Sequence, residues 1–125
     1  MSKCVLVVDD EVHIREVAQV SLETVAGWRI LTASSGQEGI AKAWTEQPDA
    51  ILLDVMMPEM DGPTTVAKLK ANDDTRDIPV ILLTAKVQAS DRRSFDSLGV
   101  QGVIAKPFDP LTLSDEVSSA LGWAS

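Results

Sequence analysis

Ala50-Ile51-Leu52-Leu53-Asp54 is four apolar residues closed by a carboxylate. A short run with no polar alternation reads as a strand buried on both faces. Three other stretches share the design. Cys4-Val5-Leu6-Val7-Val8 runs into Asp9-Asp10, Pro79-Val80-Ile81-Leu82-Leu83 into Thr84, and Val103-Ile104-Ala105 into Lys106-Pro107. A weaker strand covers residues 28–33. Between them the pattern predicts helices over residues 12–25, 35–45, 88–98 and 109–121, and a further one opened by Asp61-Gly62-Pro63. Ser34 or Ser35 suits an N-cap, Pro63 suits a first helical turn, and Gly99 suits a stop. Strand then helix, five times over, with doubly buried strands, implies an α/β fold: a parallel sheet with helices on both faces and right-handed crossovers.

Open parallel sheets bind ligands beyond the carboxyl ends of their strands. Here those ends carry Asp9 and Asp10, Asp54, Thr84 and Lys106. Three carboxylates crowded together repel one another. A hard divalent cation relieves that repulsion, because it takes oxygen ligands and neutralises the cluster. Mg²⁺ in particular binds through one or two carboxylates and keeps several waters, and Lys106 adds a mobile positive charge. Other chemistries lack their residues. His13 is the only histidine and falls in the first helix, where it reads as a solvated side chain. No glycine-rich loop follows strand 1, and paired His or Cys ligands for zinc are absent.

The chain has 125 residues, which suits one domain with its own core. Its net charge of -8 opposes binding to nucleic acid or anionic lipid. Cys4 is the single cysteine, so no disulfide closes within the chain; it reads as a small buried hydrophobe. No apolar run approaches the ~20 residues of a membrane span, and no signal peptide is evident. The expected location is therefore the cytoplasm.

Four fragments, in order, resemble the receiver domain of response regulators in two-component signalling. They are Val7-Val8-Asp9-Asp10-Glu11, then Leu52-Leu53-Asp54-Val55-Met56-Met57-Pro58-Glu59-Met60-Asp61-Gly62, then Leu83-Thr84-Ala85, then Ala105-Lys106-Pro107-Phe108. The resemblance runs from Lys3 to about Leu121. It implies a single receiver domain over residues 1–125, with a flavodoxin-like doubly wound five-stranded sheet in the order 2-1-3-4-5 and five helices.

The resemblance also implies roles. Asp54 would accept a phosphoryl group from a sensor histidine kinase or a histidine phosphotransfer protein. Asp10 would ligate Mg²⁺ (or Mn²⁺) directly, Asp9 mostly through water, and Met56 through its backbone carbonyl. The alternative for Asp9 is an N-cap of the first helix. Thr84 and the Ala85 backbone would bind the phosphoryl oxygens. Lys106 would pair first with Asp54 and then with phosphate, across a cis peptide to Pro107. The domain would act as a switch, as a monomer or weak dimer, on a downstream protein target. It would be no enzyme beyond its own phosphorylation and dephosphorylation.

Three features depart from the family or stay open. Val103 stands where the family often has Tyr or Phe. Met56 and Lys86 occupy positions that tune phosphoryl lifetime. The chain is either a stand-alone receiver or a fragment of a larger regulator, and its start at Met1 favours the former. With Val103 unable to swing as an aromatic ring does, the signal is expected to pass from residues 84–86 into the fourth helix, around residues 88–96, with Arg92, Arg93 and Phe95 as candidate contacts, Phe95 being equally suited to the core; the alternative is that partners read only the rim of the pocket. A phosphatase of the dehalogenase-like class also uses acids at strand ends, but it spaces its first two by two residues, whereas Asp9 and Asp10 are adjacent.

Overall fold

A computed structural model describes residues 3–85, 95 and 97–123. Its strands are β1 (Cys4–Val8), β2 (Arg29–Ala33), β3 (Ala50–Asp54), β4 (Val80–Thr84) and β5 (Gly102–Ala105). Its helices are α1 (Val12–Ser21), α2 (Gly36–Glu46), α3 (Gly62–Ala71) and α4 (Leu113–Leu121). All strand pairs are parallel, in the order β2-β1-β3-β4-β5.

Alternate residues of the central strands enter different cores. Leu6, Val8, Ile51, Leu53 and Leu82 pack with Ala43 of α2 and with Val66 and Leu69 of α3. Val5, Val7, Leu52, Ile81 and Leu83 pack with Ala18 of α1 and with Leu113 and Val117 of α4. This is why the strands are apolar throughout: both faces are covered. The doubly wound architecture is as expected.

The helix starts follow local chemistry. Ser35 caps α2 by accepting from Glu38 N at 3.1 Å, and Glu38 returns to Ser34 N at 2.6 Å, a reciprocal capping arrangement. Asp61 caps α3 by accepting from Thr64 N at 2.8 Å, with Pro63 in the first turn. Gly99 has φ +78 in the turn before β5.

Some expectations fall outside the described residues, and others need correction. Four α-helices, not five, are seen among the described residues. The one expected over 88–98 falls largely on residues 86–94 and 96, which lie outside them, as do Lys86, Arg92 and Arg93. Of the two readings of Phe95 the core one holds: it is 8% exposed and packs in the core. The first helix ends as α1 at Ser21 and continues as a π-helical turn, Leu22–Ala26, stopped by Gly27 at φ +72. There Leu22 is fully buried, and Ser21 Oγ donates to the Pro110 carbonyl. The last helix begins at Leu113 rather than 109, because Asp109 is spent on a turn. Its Oδ1 accepts from Leu111 N, and its carbonyl accepts from Thr112 N and Leu113 N. Cys4 is only half-buried, at the open start of β1, where Asp49 Oδ2 accepts from its N–H. Trp28 precedes β2 and packs edge-on against Trp123, 5.2 Å between centroids, at the sheet end away from the strand-end acids.

Candidate functional site

β1 and β3 are neighbours, in register from Val5–Ala50 to Val8–Leu53, so their carboxyl ends leave the sheet side by side. That register brings Asp9, Asp10 and Asp54 together: one carboxylate oxygen from each lies within 4.8 Å of the others. β4 and β5 pair Thr84 with Ala105, which sets Lys106 beside Thr84; Lys106 N donates to the Thr84 carbonyl at 2.9 Å. The Lys106–Pro107 peptide is cis. Lys106 Nζ lies 2.8 Å from Asp9 Oδ2 and 3.1 Å from Asp54 Oδ1.

The acids are not equivalent. Asp9, Asp54 and Thr84 are buried, whereas Asp10 faces solvent. Asp9 Oδ1 accepts from Glu11 N at 2.9 Å, a local turn that precedes α1; the residue at the N-cap position is Glu11, not Asp9. Asp54 Oδ1 also takes a long contact from Met56 N, 3.4 Å. Met56 is 67% exposed and Ala85 is exposed, so both stand at the mouth. His13 is exposed, as expected. Val103 is half-buried against the core.

Burial and the charge of Asp9 push Asp54 up to about 6, although the Lys106 ammonium opposes them. Burial would by itself depress Lys106, but its hydrogen bonds and attraction to Asp9 and Asp54 prevail and raise it. One lysine against three carboxylates leaves the cluster short of positive charge. Among the described residues, buried Asp54 Oδ2 accepts no hydrogen bond. Buried Asp9 Oδ2 has the Lys106 ammonium 2.8 Å away as its ion-pair partner. A buried carboxylate oxygen without a partner, as Asp54 Oδ2 is among the described residues, is costly. That oxygen, with the carboxylates of Asp9 and Asp10 beside it and one lysine for all three, belongs to a set of hard oxygen donors that fits a divalent cation. Asp9, Asp10 and Asp54 are the side chains that could hold it.

Glu11, Ile14, Met56, Ala85 and Pro107 line the cleft of about 360 Å³ into which Asp54 and Lys106 open. A groove of about 420 Å³ along Val17, Val20 and Leu111 has Glu16 as its one ionisable residue among the described lining, whereas the smaller cleft gathers Glu11, Asp54 and Lys106. Sequence reading missed Arg15, whose Nη1 donates to the Asp9 carbonyl at 2.6 Å. A signal existed: a cation near the N-terminus of a helix opposes the helix dipole and calls for a local reason.

The model of the response regulator receiver domain family matches residues 5–118. The alkaline phosphatase synthesis transcriptional regulatory protein PhoP of Bacillus subtilis is 39% identical over 121 residues, 97% of this chain and 49% of that protein. The chain spans about half the length of the curated relatives it matches. Among solved structures, the chemotaxis response regulator CheY4 of Vibrio cholerae superposes with a TM-score of 0.90 at 31% identity, covering 96% of this chain and 99% of that one. The receiver domain of a Pseudomonas aeruginosa sensor histidine kinase, solved with a magnesium ion coordinated in its active-site cleft, superposes with a TM-score of 0.85 at 27% identity. That match covers 98% of this chain and 99% of the other.

Proposed function

The chain belongs to the response regulator receiver domain family, and on that premise we propose that it is a phosphorylation-dependent switch whose acceptor is Asp54. The observation that carries the reading is the buried Asp54 carboxylate at the end of the central strand, facing Asp9 and Asp10 and paired with Lys106 at 3.1 Å. An oxygen of Asp54 attacks the phosphorus of a phosphohistidine on a partner kinase or phosphotransfer protein. The P–N bond breaks, its electron pair stays with the imidazole nitrogen, and an acyl phosphate forms on Asp54. Hydrolysis by water later restores the carboxylate. The cycle therefore returns the chain unchanged, and the domain catalyses nothing beyond it.

The metal, Mg²⁺ or Mn²⁺, would supply charge neutralisation and alignment, which is most of what phosphoryl transfer needs. Asp10 would hold it directly, Asp9 mostly through water, and Met56 through its carbonyl. Lys106 orients Asp54 before transfer and takes a phosphoryl oxygen afterwards. The Thr84 hydroxyl and the Ala85 N–H donate to the other oxygens. Asp54, pushed up to about 6 without metal, is mostly ionised at neutral pH and so ready as a nucleophile. The switch then changes the surface offered to a downstream protein, with the chain a monomer or weak dimer in the cytoplasm. Among the described residues no helix is long and apolar enough to cross a membrane.

The test is transfer. Histidine kinases of the source cell, autophosphorylated with labelled ATP, are mixed with this chain and Mg²⁺. At least one should pass its label to the chain as a hydroxylamine-sensitive acyl phosphate. Label that resists hydroxylamine, or no transfer from any kinase, would overturn the reading.

A further inference from the structure

Asp9 is gripped on three sides. Its N–H donates to the Ala33 carbonyl at 3.1 Å, its Oδ1 accepts from Glu11 N at 2.9 Å, and its carbonyl accepts from Arg15 Nη1 at 2.6 Å. Asp10 is different. It is exposed, and among the described residues no hydrogen bond or ion pair to its carboxylate is seen. With no contact of its own, the Asp10 side chain is placed only through its backbone, which sets where Cβ leaves the chain, and that backbone begins at the Asp9–Asp10 peptide, whose oxygen is the atom Arg15 holds.

We propose that Arg15 is a positioning residue for the metal site: by holding the Asp9 carbonyl it fixes the Asp9–Asp10 peptide and so the point from which the Asp10 side chain reaches towards the ion. The inference rests on the reading of Asp10 as a metal ligand. The bond is charge-assisted and partly shielded, which makes it strong for a single contact. It spans from α1 back to the end of β1, so it ties the helix start to the strand end across the turn that carries both acids. Outer groups of this kind, which touch a ligand's support rather than the ion, typically govern metal affinity by about 10–100-fold.

Electrostatics alone makes the opposite forecast. Arg15 brings a positive charge close to a site for a cation. Removing it should strengthen Mg²⁺ binding if Arg15 is only a bystander, because like charges repel. The sign of the change therefore separates positioning from a mere charge effect.

The experiment is calorimetric titration of Mg²⁺ into the metal-free wild type, Arg15→Gln, Asp10→Asn and Asp54→Asn, with thermal unfolding in EDTA to confirm that each is folded. Arg15→Gln should bind Mg²⁺ about tenfold more weakly, the lower end of what lost outer support costs. Unchanged or tighter binding, with a wild-type site that Asp10→Asn abolishes, overturns the role of Arg15 alone. A wild-type Mg²⁺ signal that survives both Asp10→Asn and Asp54→Asn overturns the metal site itself. Should Arg15→Gln be unfolded, Arg15→Met, with a long unbranched stem, carries the same two expectations.

Discussion

The Lys106 ammonium stands 3.1 Å from Oδ1 of Asp54, while Oδ2 of the same carboxylate is buried and accepts no hydrogen bond among the described residues. One oxygen is thus held and the other is not. The lysine cannot serve both, because it also faces Asp9 Oδ2 at 2.8 Å. The pairing steadies the carboxylate without neutralising the cluster, and the remaining negative charge is what would draw in a divalent cation and a phosphoryl group.

If Asp54 is the sole acceptor, its amide variant cannot be labelled. Acetyl phosphate with Mg²⁺ should label the wild type and leave Asp54→Asn blank, with both proteins equally folded by circular dichroism. Equal labelling of the variant would move the acceptor elsewhere, with Asp9 or Asp10 the next candidates.

Without metal, Asp54 should make stability depend on pH in the unusual direction for a carboxylate. Its folded pKa of about 6 lies above the ordinary 3.8, so the folded state binds the proton more tightly than the unfolded state. The stability this contributes is full below pH 3.8 and is lost as pH rises through about 6. Asp54→Asn, always neutral, should therefore exceed wild type at pH 7.5 by on the order of 2–3 kcal/mol, at about 1.4 kcal/mol per tenfold change in proton affinity. The gap should shrink towards pH 4. Glu38 and Asp61, both lowered by hydrogen bonds from backbone N–H groups, titrate the other way, but they are common to both proteins and cancel in the difference. Urea unfolding in EDTA measures it; a gap that widens on acidification would refute the sign.

Asp10→Asn should cost more Mg²⁺ affinity than Asp9→Asn, although Asp9 is the more buried. A direct carboxylate contact loses more on neutralisation than one acting through water. Asp9 has a second task, since it neutralises Lys106 at 2.8 Å. Asp9→Asn should accordingly show its larger effect on the unfolding midpoint in EDTA rather than on Mg²⁺ titration. The reverse order of affinities would exchange the two roles.

The strand ends were legible because two signals coincided there: an unbroken apolar run stopped, and a residue able to do chemistry followed. The run at residues 50–53 stops at Asp54 and the run at 80–83 stops at Thr84, and both residues are 2% exposed in the fold. The difference between Asp9 and Asp10 was not legible. Adjacent residues of one type diverge in burial only once the chain turns away from the sheet, and no pattern marks where it turns. Arg15 was missed because its partner is a backbone carbonyl, which leaves no trace in side-chain spacing. The start of α4 was misplaced because Asp109 can cap a helix or close a turn, and here it closes a turn.

Gly62→Ala should destabilise the fold and loosen the loop after Asp54. A Cβ at this position would lie 2.8 Å from the Asp54 carbonyl oxygen and 2.8 Å from Val55 Cα. Both are backbone atoms of the segment that carries Asp54, so neither gives way cheaply. Overpacking of this kind typically costs about 1–3 kcal/mol. The urea midpoint in EDTA should fall accordingly, and an unchanged midpoint would mean that the start of α3 is free to shift.

Val103 bears on how a signal could leave the site. It sits on β5 in register with Leu82 and packs half-buried against the core shared by β3, β4 and α3. A β-branched side chain so packed is stiff about χ1 and changes little surface between rotamers. It cannot act as a ring that swings between solvent and core. Thr84, on the neighbouring strand, would still gain a strong acceptor when Asp54 is phosphorylated, so the local driving force survives without a ring. The route we expect runs through the backbone after Thr84 and Ala85 into residues 88–98. Amide NMR with beryllofluoride and Mg²⁺, as a mimic of the phosphoryl group, should show perturbations extending from Thr84 through that segment, past direct reach of the ligand. In Val103→Tyr the wild-type response should be retained rather than newly created. Perturbations that stop at the strand ends in wild type, yet reach residues 88–98 in Val103→Tyr, would instead make the aromatic ring the essential part of the relay.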